Sequence, residues 1–391
     1  MAVEDPSGAQ PGGGPLSGLL VADFSRVLAG PYATMLLADL GAEVVKVESH
    51  QGDETRTWTP PSRDGVSTYY LGINRGKRSI ALDLRDEDDV AVAKELARRA
   101  DILIENLRPG GMAKYGLDYA SVSADNPGLV YASISGFGST GGAHVPGYDL
   151  MVQAVSGLMS LTGAPDGPPF RAGISIFDVM AGKDALIGIL AALRHRDATG
   201  RGQHVELSLL ASAMSGMVNQ SSAYAAGGVV PTRMGNAHPS VVPYEPLPTA
   251  DNDIVIAAAN DGLFRKLVQV LGRPELADDP RFLRNADRTE HREELKPILV
   301  EALAAKGAEE WFDLLVNAGV PCGPINSVAG GFAIAERFGL GPVVEVGEGD
   351  RAVPTTRNPI RFSDTPVSYE LPPPELDEHG TELRKWLSDR A

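Results

Sequence analysis

The stretch LLVADFSRVLAGPYATMLLADLGAEVVKVE, residues 19–48, decides the fold. Its first part, LLVADF, predicts a buried strand, PYATMLLADLG predicts a helix that ends at Gly41, and EVVKVE predicts a second strand. Two apolar strands joined by one helix form a compact βαβ unit, whose strands run parallel.

The same alternation continues along the chain. SIALDL predicts a strand, the segment from Glu87 to Arg99 a helix, and DILIEN and GLVYASIS two further strands. Strands that are apolar throughout, separated by helices of about ten residues, indicate a parallel sheet covered on both faces. We therefore predict a doubly wound α/β domain.

A chain of 391 residues is long enough for two domains, each with its own core. Residues 1–15 are acidic and rich in Gly and Pro, which predicts a disordered tail. We predict that residues 16–225 form the first part of a large α/β domain, 226–248 a linker and 249–320 a smaller α+β domain. Residues 321–391 are predicted to return in extended form and complete the large domain, which is thus discontinuous in sequence.

The composition limits the classes of function. A net charge of -16 argues against nonspecific binding to nucleic acid or anionic membrane, because both require a basic surface. The single cysteine fits a reducing cytoplasm. The first residues show no hydrophobic region like that of a signal peptide, and no apolar run of about 18 residues occurs, so we expect no transmembrane helix. The seven histidines lack the spacing of metal ligands, so we predict no metal site.

The segment from Gly173 to Gly202, GISIFDVMAGKDALIGILAALRHRDATGRG, contains the first candidate for chemistry. Asp178 lies where a long helical pattern begins. One interpretation is an N-cap, since Asp is among the preferred residues at that position. The other is a carboxylate nucleophile that the positive end of the helix keeps ionised. These residues alone leave both interpretations open.

Two other features suggest a ligand. The run Gly136 to Gly141 matches G-x-G-x-x-G, but the next helical pattern begins only at Asp149, so we predict a flexible loop rather than a dinucleotide site. Basic side chains also cluster around SIALDL and beyond DILIEN, where we expect the carboxyl ends of strands. They form either an ordinary solvated rim or a site for a phosphate-bearing ligand. The residues are Arg75, Lys77, Arg78, Arg85, Arg108 and Lys114.

Taken together, several ordered motifs resemble the family III CoA-transferases, the group that includes formyl-CoA transferase and carnitine CoA-transferase. They include GKRSIALDL, DILIENLRPGGMAKYGLDY, GYDLMVQAVSGLMSLTG, FDVMAGKDALIGILAALRHRDATGRGQHVELSLL and GVPCGPI. The resemblance covers essentially the whole chain after residue 15. It implies a homodimer of two interlocked, ring-like chains.

The resemblance also implies a chemistry. Asp178 matches the family's catalytic Asp, which forms an aspartyl mixed anhydride and then an aspartyl-CoA thioester in a ping-pong reaction between an acyl-CoA and a free carboxylic acid. Coenzyme A esters are substrates, and no permanently bound cofactor is expected. The implied CoA contacts are Leu82, Asp83, Leu84, Arg85, Asn106, Leu107, Arg108 and Lys114. Further substrate or loop contacts are expected from Arg26, Leu28, Trp58, Tyr148, Asp149 and His238.

Two departures from formyl-CoA transferase disfavour formate or oxalate as substrate. Leu28 stands where those relatives carry Gln, and residues 235–239 replace a Gly-rich loop with GNAHP. Two other functions compete. The related α-methylacyl-CoA racemases carry a His where this chain has Tyr148, and a tyrosine with a pKa near 10 is a poor general base at pH 7. A noncatalytic protein that binds CoA esters is the third possibility.

Overall fold

The computed structural model describes residues 13–389, so the predicted tail lies outside the described residues except for 13–15. The described chain divides into two compact units. The first comprises residues 13–157, 172–229 and 341–389, and the second comprises 158–171 and 230–340. The predicted small domain, 249–320, falls within the second unit, which also takes in part of the predicted linker.

The strands are short and are numbered in chain order. They are β1 (Leu20–Asp23), β2 (Glu43–Glu48), β3 (Ser62–Arg63), β4 (Val66–Ser67), β5 (Lys77–Ala81), β6 (Ile102–Glu105), β7 (Val130–Ser135), β8 (His204–Ser208), β9 (Tyr244–Pro248), β10 (Asp253–Ala257), β11 (Cys322–Pro324), β12 (Val343–Val346) and β13 (Val353–Thr356).

The α-helices are numbered in the same way. They are α1 (Ala29–Asp39), α2 (Thr68–Leu71), α3 (Glu87–Arg99), α4 (Tyr119–Asp125), α5 (Asp149–Val155), α6 (Leu158–Leu161), α7 (Ile176–Thr199), α8 (Leu209–Gly216), α9 (Val218–Ala225), α10 (Asp261–Val270), α11 (Asn285–Glu290), α12 (Arg292–Leu303), α13 (Ala308–Asn317), α14 (Val328–Arg337) and α15 (Gly380–Ser388).

A six-stranded parallel sheet organises the first unit. Its order is β5-β2-β1-β6-β7-β8, and every pairing is parallel. The chain therefore builds the sheet outward from β1 in one direction and then restarts from β6 in the other. That order defines a doubly wound sheet and confirms the predicted parallel α/β architecture.

Side chains of β1 are buried on both faces of this sheet. Leu20 and Ala22 belong to the core formed with α3, α4 and α15. Val21 is also fully buried and, because successive strand side chains point to opposite faces, it lies on the side of α1 and α7. Two covered faces explain why the strands are apolar throughout.

The second unit contains an antiparallel sheet of order β11-β10-β9 with its own core. Helices α10, α12 and α13 contribute to that core through Phe264, Leu299 and Trp311. The predicted linker, 226–248, ends in β9, which pairs antiparallel with β10. The segment predicted to be extended beyond residue 320 contains α14, which the sequence analysis missed.

Candidate active site

The sheet order creates a crevice between β1 and β6, where the direction of winding reverses. The loops that follow these two strands line a cavity of about 210 Å³ through residues 26–28 and 106–109, together with Asp178. Ligands of open α/β sheets bind at this kind of switch point, beyond the carboxyl ends of the strands. Asp178 thus lies where the fold places ligand chemistry.

Asp178 is the third residue of α7, and Ser175 occupies the N-cap position. The N-cap interpretation of Asp178 is therefore wrong. Its side chain is half-buried and forms no ion pair within residues 13–389. Burial, and then the negative charge of Asp149, raise the pKa of Asp178 to about 7. The helix start thus does not keep the carboxyl fully ionised, and protonated and ionised forms coexist near neutral pH.

Asp149, the first residue of α5, supplies the cap that α7 lacks locally. Its Oδ1 accepts the backbone N–H of Phe177 at 2.7 Å and that of Asp178 at 3.2 Å. Gln153 donates a hydrogen bond to the Asp149 carboxylate from one turn further along α5. Asp149 was predicted as a substrate or loop contact, whereas its carboxylate here binds the backbone of α7.

Tyr69 is a neighbour of Asp178 that the sequence analysis missed. Burial, followed by the charge of Asp178, raises the pKa of Tyr69 to about 12, so the phenol stays neutral. Trp58, predicted to contact substrate, packs edge-on against Tyr69 with ring centroids 5.1 Å apart. No sequence signal links Tyr69 to Asp178, because more than a hundred residues separate them.

The loop after β1 is held in an unusual conformation. Val27 has φ 67°, a value that β-branched residues rarely adopt. The Asn106 side chain accepts from the N–H of Arg26 at 2.9 Å and donates to its carbonyl at 2.7 Å. The Asp53 carboxylate accepts the Val27 N–H at 3.2 Å, and Lys46, fully buried, donates to that carboxylate at 2.9 Å. Side chains thus fix the loop that faces Asp178 across the cavity.

A second cavity of about 410 Å³ adjoins the first and shares Arg26 and Leu107 with it. Five of the eight predicted CoA contacts line it: Leu82, Asp83, Leu84, Arg85 and Leu107. Asn106 and Arg108 line the cavity of Asp178 instead. Lys114 lies in an open depression that also includes Leu84 and Arg85. The predicted CoA contacts therefore form one continuous region beside the candidate nucleophile.

The basic cluster predicted around SIALDL divides into two parts. Arg75 and Lys77 are buried and form ion pairs with Asp39 and Asp23, while Arg78 pairs with Glu43. These three cations precede or open β5, so their predicted place beyond its carboxyl end was wrong. Arg85, Arg108 and Lys114 are exposed, which leaves them accessible to a phosphate.

The remaining predicted contacts differ in their surroundings. Arg26 and Leu28 line the Asp178 cavity, although Arg26 already pairs with Glu54 at 2.8 Å. Tyr148 lines it as well and is half exposed. His238 belongs to the second unit, where its ring packs on Tyr244. Residues 13–389 contain no cluster of potential metal ligands, and none of their helices is long and apolar enough to cross a membrane.

The fold and this site define a doubly wound α/β protein with an unpaired carboxyl group at the switch point of its sheet. The sequence matches the family described as CoA-transferase family III over residues 16–380. It is 43% identical to the succinate–glutarate CoA-transferase of Agrobacterium fabrum over 94% of each chain. It is 42% identical to the acetyl-CoA:oxalate CoA-transferase of Acetobacter aceti over 95% of each chain.

A solved structure agrees with these similarities. The crystal structure of a CAIB/BAIF family protein from Brucella suis is 43% identical in sequence and superposes with a TM-score of 0.86, covering 96% of this chain and 100% of that one. The chain therefore belongs to CoA-transferase family III and is an enzyme of that family. The family and the names of these relatives do not favour the racemase alternative.

Proposed function

We propose that this enzyme transfers coenzyme A from an acyl-CoA to a free carboxylic acid, with Asp178 as the nucleophile. One observation carries the proposal. Asp178 is a half-buried carboxyl group without a cationic partner within residues 13–389, and it shares its cavity with a loop that adjoins the region of the predicted CoA contacts. A carboxyl group buried without a compensating charge costs stability, which is typical of a group kept for chemistry.

The proposed reaction has two halves. A carboxylate oxygen of Asp178 attacks the thioester carbonyl, and the C–S bond breaks, giving a mixed anhydride and CoA thiolate. The thiolate then attacks the aspartyl carbonyl, which releases the donor acid and leaves an aspartyl-CoA thioester. The acceptor carboxylate attacks that thioester and expels CoA thiolate, and the thiolate finally takes the acyl group from the second anhydride, which restores Asp178.

A pKa of about 7 suits this role. With a pKa of about 7 the ionised form of Asp178 is present at neutral pH, and a carboxylate of raised pKa is a stronger nucleophile than an ordinary one. Arg108 lines the same cavity and forms no ion pair in the part of the chain that the structure describes. It is therefore available to stabilise negative charge on the substrate.

The substrates we propose are short dicarboxylic acids, with succinyl-CoA as donor and glutarate as acceptor. Two observations support this class. A relative at 43% identity is named for succinate and glutarate, and two guanidinium groups, Arg26 and Arg108, line the cavity and can pair with a second carboxylate. Oxalate should also be tested as an acceptor, because another relative is named for it.

We further propose a homodimer of interlocked chains, as the family resemblance implies, in the cytoplasm, as the single cysteine suggests. The first unit presents large apolar side chains to solvent on three helices that a second copy of the chain would cover. Leu150 and Met151 on α5, Ile187 on α7 and Met214 on α8 are all more than 40% exposed. Sedimentation at micromolar concentration tests this, and a monomer there would contradict it.

The test of the activity is trapping of the covalent intermediate. The enzyme is incubated with a panel of acyl-CoAs that includes succinyl-CoA, then treated with hydroxylamine and mapped by peptide mass spectrometry. A hydroxamate on Asp178 is expected with at least one donor. Neither Asp178→Ala nor Asp178→Asn should exchange CoA, while both should still bind it.

The controls separate the competing functions. Full exchange activity in either Asp178 variant would refute the transferase mechanism. Deuterium incorporation at the α carbon of a 2-methylacyl-CoA without any acceptor acid would indicate a racemase instead. Tight binding of CoA esters with no adduct on any residue would indicate a binding protein.

A further inference from the structure

The contact between Asp149 and the first turn of α7 has a second consequence, which rests on the proposed role of Asp178 as nucleophile. Two consecutive backbone N–H groups, those of Phe177 and Asp178, both donate to the same oxygen of Asp149. The carboxylate is only 5% exposed, so water does not replace these contacts. The position of the Asp178 main chain therefore depends directly on a residue of another helix.

Gln153 fixes Asp149 in turn. This amide is fully buried, and its nitrogen donates both to Asp149 and to the carbonyl of Ile174, the latter at 3.2 Å. Its oxygen accepts the N–H of Ala172 at 2.8 Å. Gln153 thus joins α5 to the segment that leads into α7, and every polar atom of the amide is used.

The cap also brings a negative charge close to the nucleophile. After burial, the Asp149 carboxylate is the second cause of the raised pKa of Asp178. The other titratable groups around Asp178 do not duplicate this effect. Tyr69 on α2 and Tyr32, which lies against Gly182 on α7, are neutral phenols with raised pKa values. Tyr148, Arg26 and Arg108 also line the cavity, and neither cation forms an ion pair with Asp178.

We propose that Asp149, oriented by Gln153, is the positioning residue of the nucleophile: it anchors the first turn of α7 and sets a fixed negative charge beside Asp178. One carboxylate oxygen anchors the helix by accepting the two N–H groups, and the negative charge of the whole carboxylate acts on Asp178. An asparagine at position 149 loses the charge and retains an oxygen acceptor for the two N–H groups, but it also gives up the oxygen that accepts from Gln153. The pH profile of this variant therefore reports the charge, and its kcat reports the support from Gln153.

The experiment compares Asp149→Asn with Asp149→Ala in the full-length enzyme. With Asp149→Asn, we expect the acidic limb of the kcat/KM profile to move by about one pH unit toward acid, because a like charge next to Asp178 is gone. With Asp149→Ala, we expect kcat to fall about 10- to 100-fold with a nearly unchanged KM for acyl-CoA, because the nucleophile is misplaced. An unshifted profile in Asp149→Asn would overturn the proposal.

Asp251 offers a matched control in the second unit. It caps α13 from the turn between β9 and β10 by accepting the N–H of Ala308 at 2.8 Å. Asp251→Asn and Asp251→Ala remove the same kind of contact between elements. They are expected to alter stability without moving the pH profile. A shift of the profile in these variants would show that the effect is merely structural.

A second measurement does not depend on the enzyme's activity. The pH dependence of unfolding is compared for the wild type, Asp149→Asn, Asp178→Asn and the double variant, which isolates the coupling between the two carboxyl groups. Asp178→Asn is expected to stabilise the protein less at pH 8, and to reach its full effect at a lower pH, when Asp149 is already replaced. No coupling would refute the inference, whereas coupling without CoA exchange in the wild type would refute only the proposed function.

Discussion

Replacing Asp178 with Asn should make the protein more stable at alkaline pH. The pKa of Asp178 rises from an unfolded value of 3.8 to about 7 in the folded chain, first through burial and then through Asp149. Because the folded pKa is the higher one, the stabilising contribution is complete below about pH 4 and is lost as the pH rises through 7. Above that range the wild type buries an ionised group at a cost that Asn avoids.

The magnitude follows from the same values. A pKa raised from 3.8 to about 7 corresponds to about 4 kcal/mol at pH 8 or above. Partial exposure reduces this cost, and loss of a negative charge at a helix start opposes the gain by about 0.3–1 kcal/mol. We therefore expect Asp178→Asn to raise the free energy of unfolding by about 2–3 kcal/mol at pH 8 and by less than about 1 kcal/mol at pH 4.5.

The assay is urea unfolding at both pH values, with protein concentration held constant because a dimer's stability depends on it. Asp89 provides the control, since it is also the third residue of its helix, α3. Burial would raise the pKa of Asp89, but the hydrogen bonds from Arg384 and from the Asp83 backbone, together with the charge of Arg384, outweigh it and lower the pKa. Asp89→Asn should therefore destabilise the protein at pH 8. Equal stability of Asp178→Asn and wild type at pH 8 would refute the reasoning.

Three other perturbations test the site and its support. Lys77→Met leaves Asp23 buried without the lysine that pairs with it. The free energy of unfolding, measured in urea titrations, should fall by about 3–5 kcal/mol. A loss below about 1 kcal/mol would contradict an ion pair shielded from water. Asn106→Ala frees the loop after β1 and should lower kcat about 10-fold or more. Asn126→Ala is the control: it loses a comparable hydrogen bond to a backbone carbonyl and should affect stability alone. Arg108→Ala should raise the KM for acyl-CoA about 10-fold in steady-state kinetics, and an unchanged KM would exclude a contact with the substrate.

The central sheet could be predicted from the sequence because its signals are local. Each strand is an apolar run buried on both faces, and the helix from Glu87 to Arg99 begins after Asp86, which caps it, and ends in two arginines. By contrast, α14 contains two adjacent glycines and few charged residues, so its pattern resembled a loop.

The failures of the sequence analysis at the site have a common physical cause. Lys77 and Arg75 were interpreted as surface cations, yet they neutralise Asp23 and Asp39, partners that are distant in sequence. The N-cap interpretation failed for the same reason, because the group that satisfies the start of α7 comes from Asp149 on another helix. Charge pairing across a fold depends on topology, which one sequence does not reveal.

The last helix has a consequence for how the protein is made. Leu383 and Leu387 on α15 belong to the core of the first sheet, and Arg99 donates hydrogen bonds to carbonyl groups at the end of that helix. Until these residues are synthesised, the part of this core that α15 covers stays exposed. The first unit therefore cannot complete its core until α15 has been synthesised, and apolar surface of the nascent chain stays open to aggregation until then.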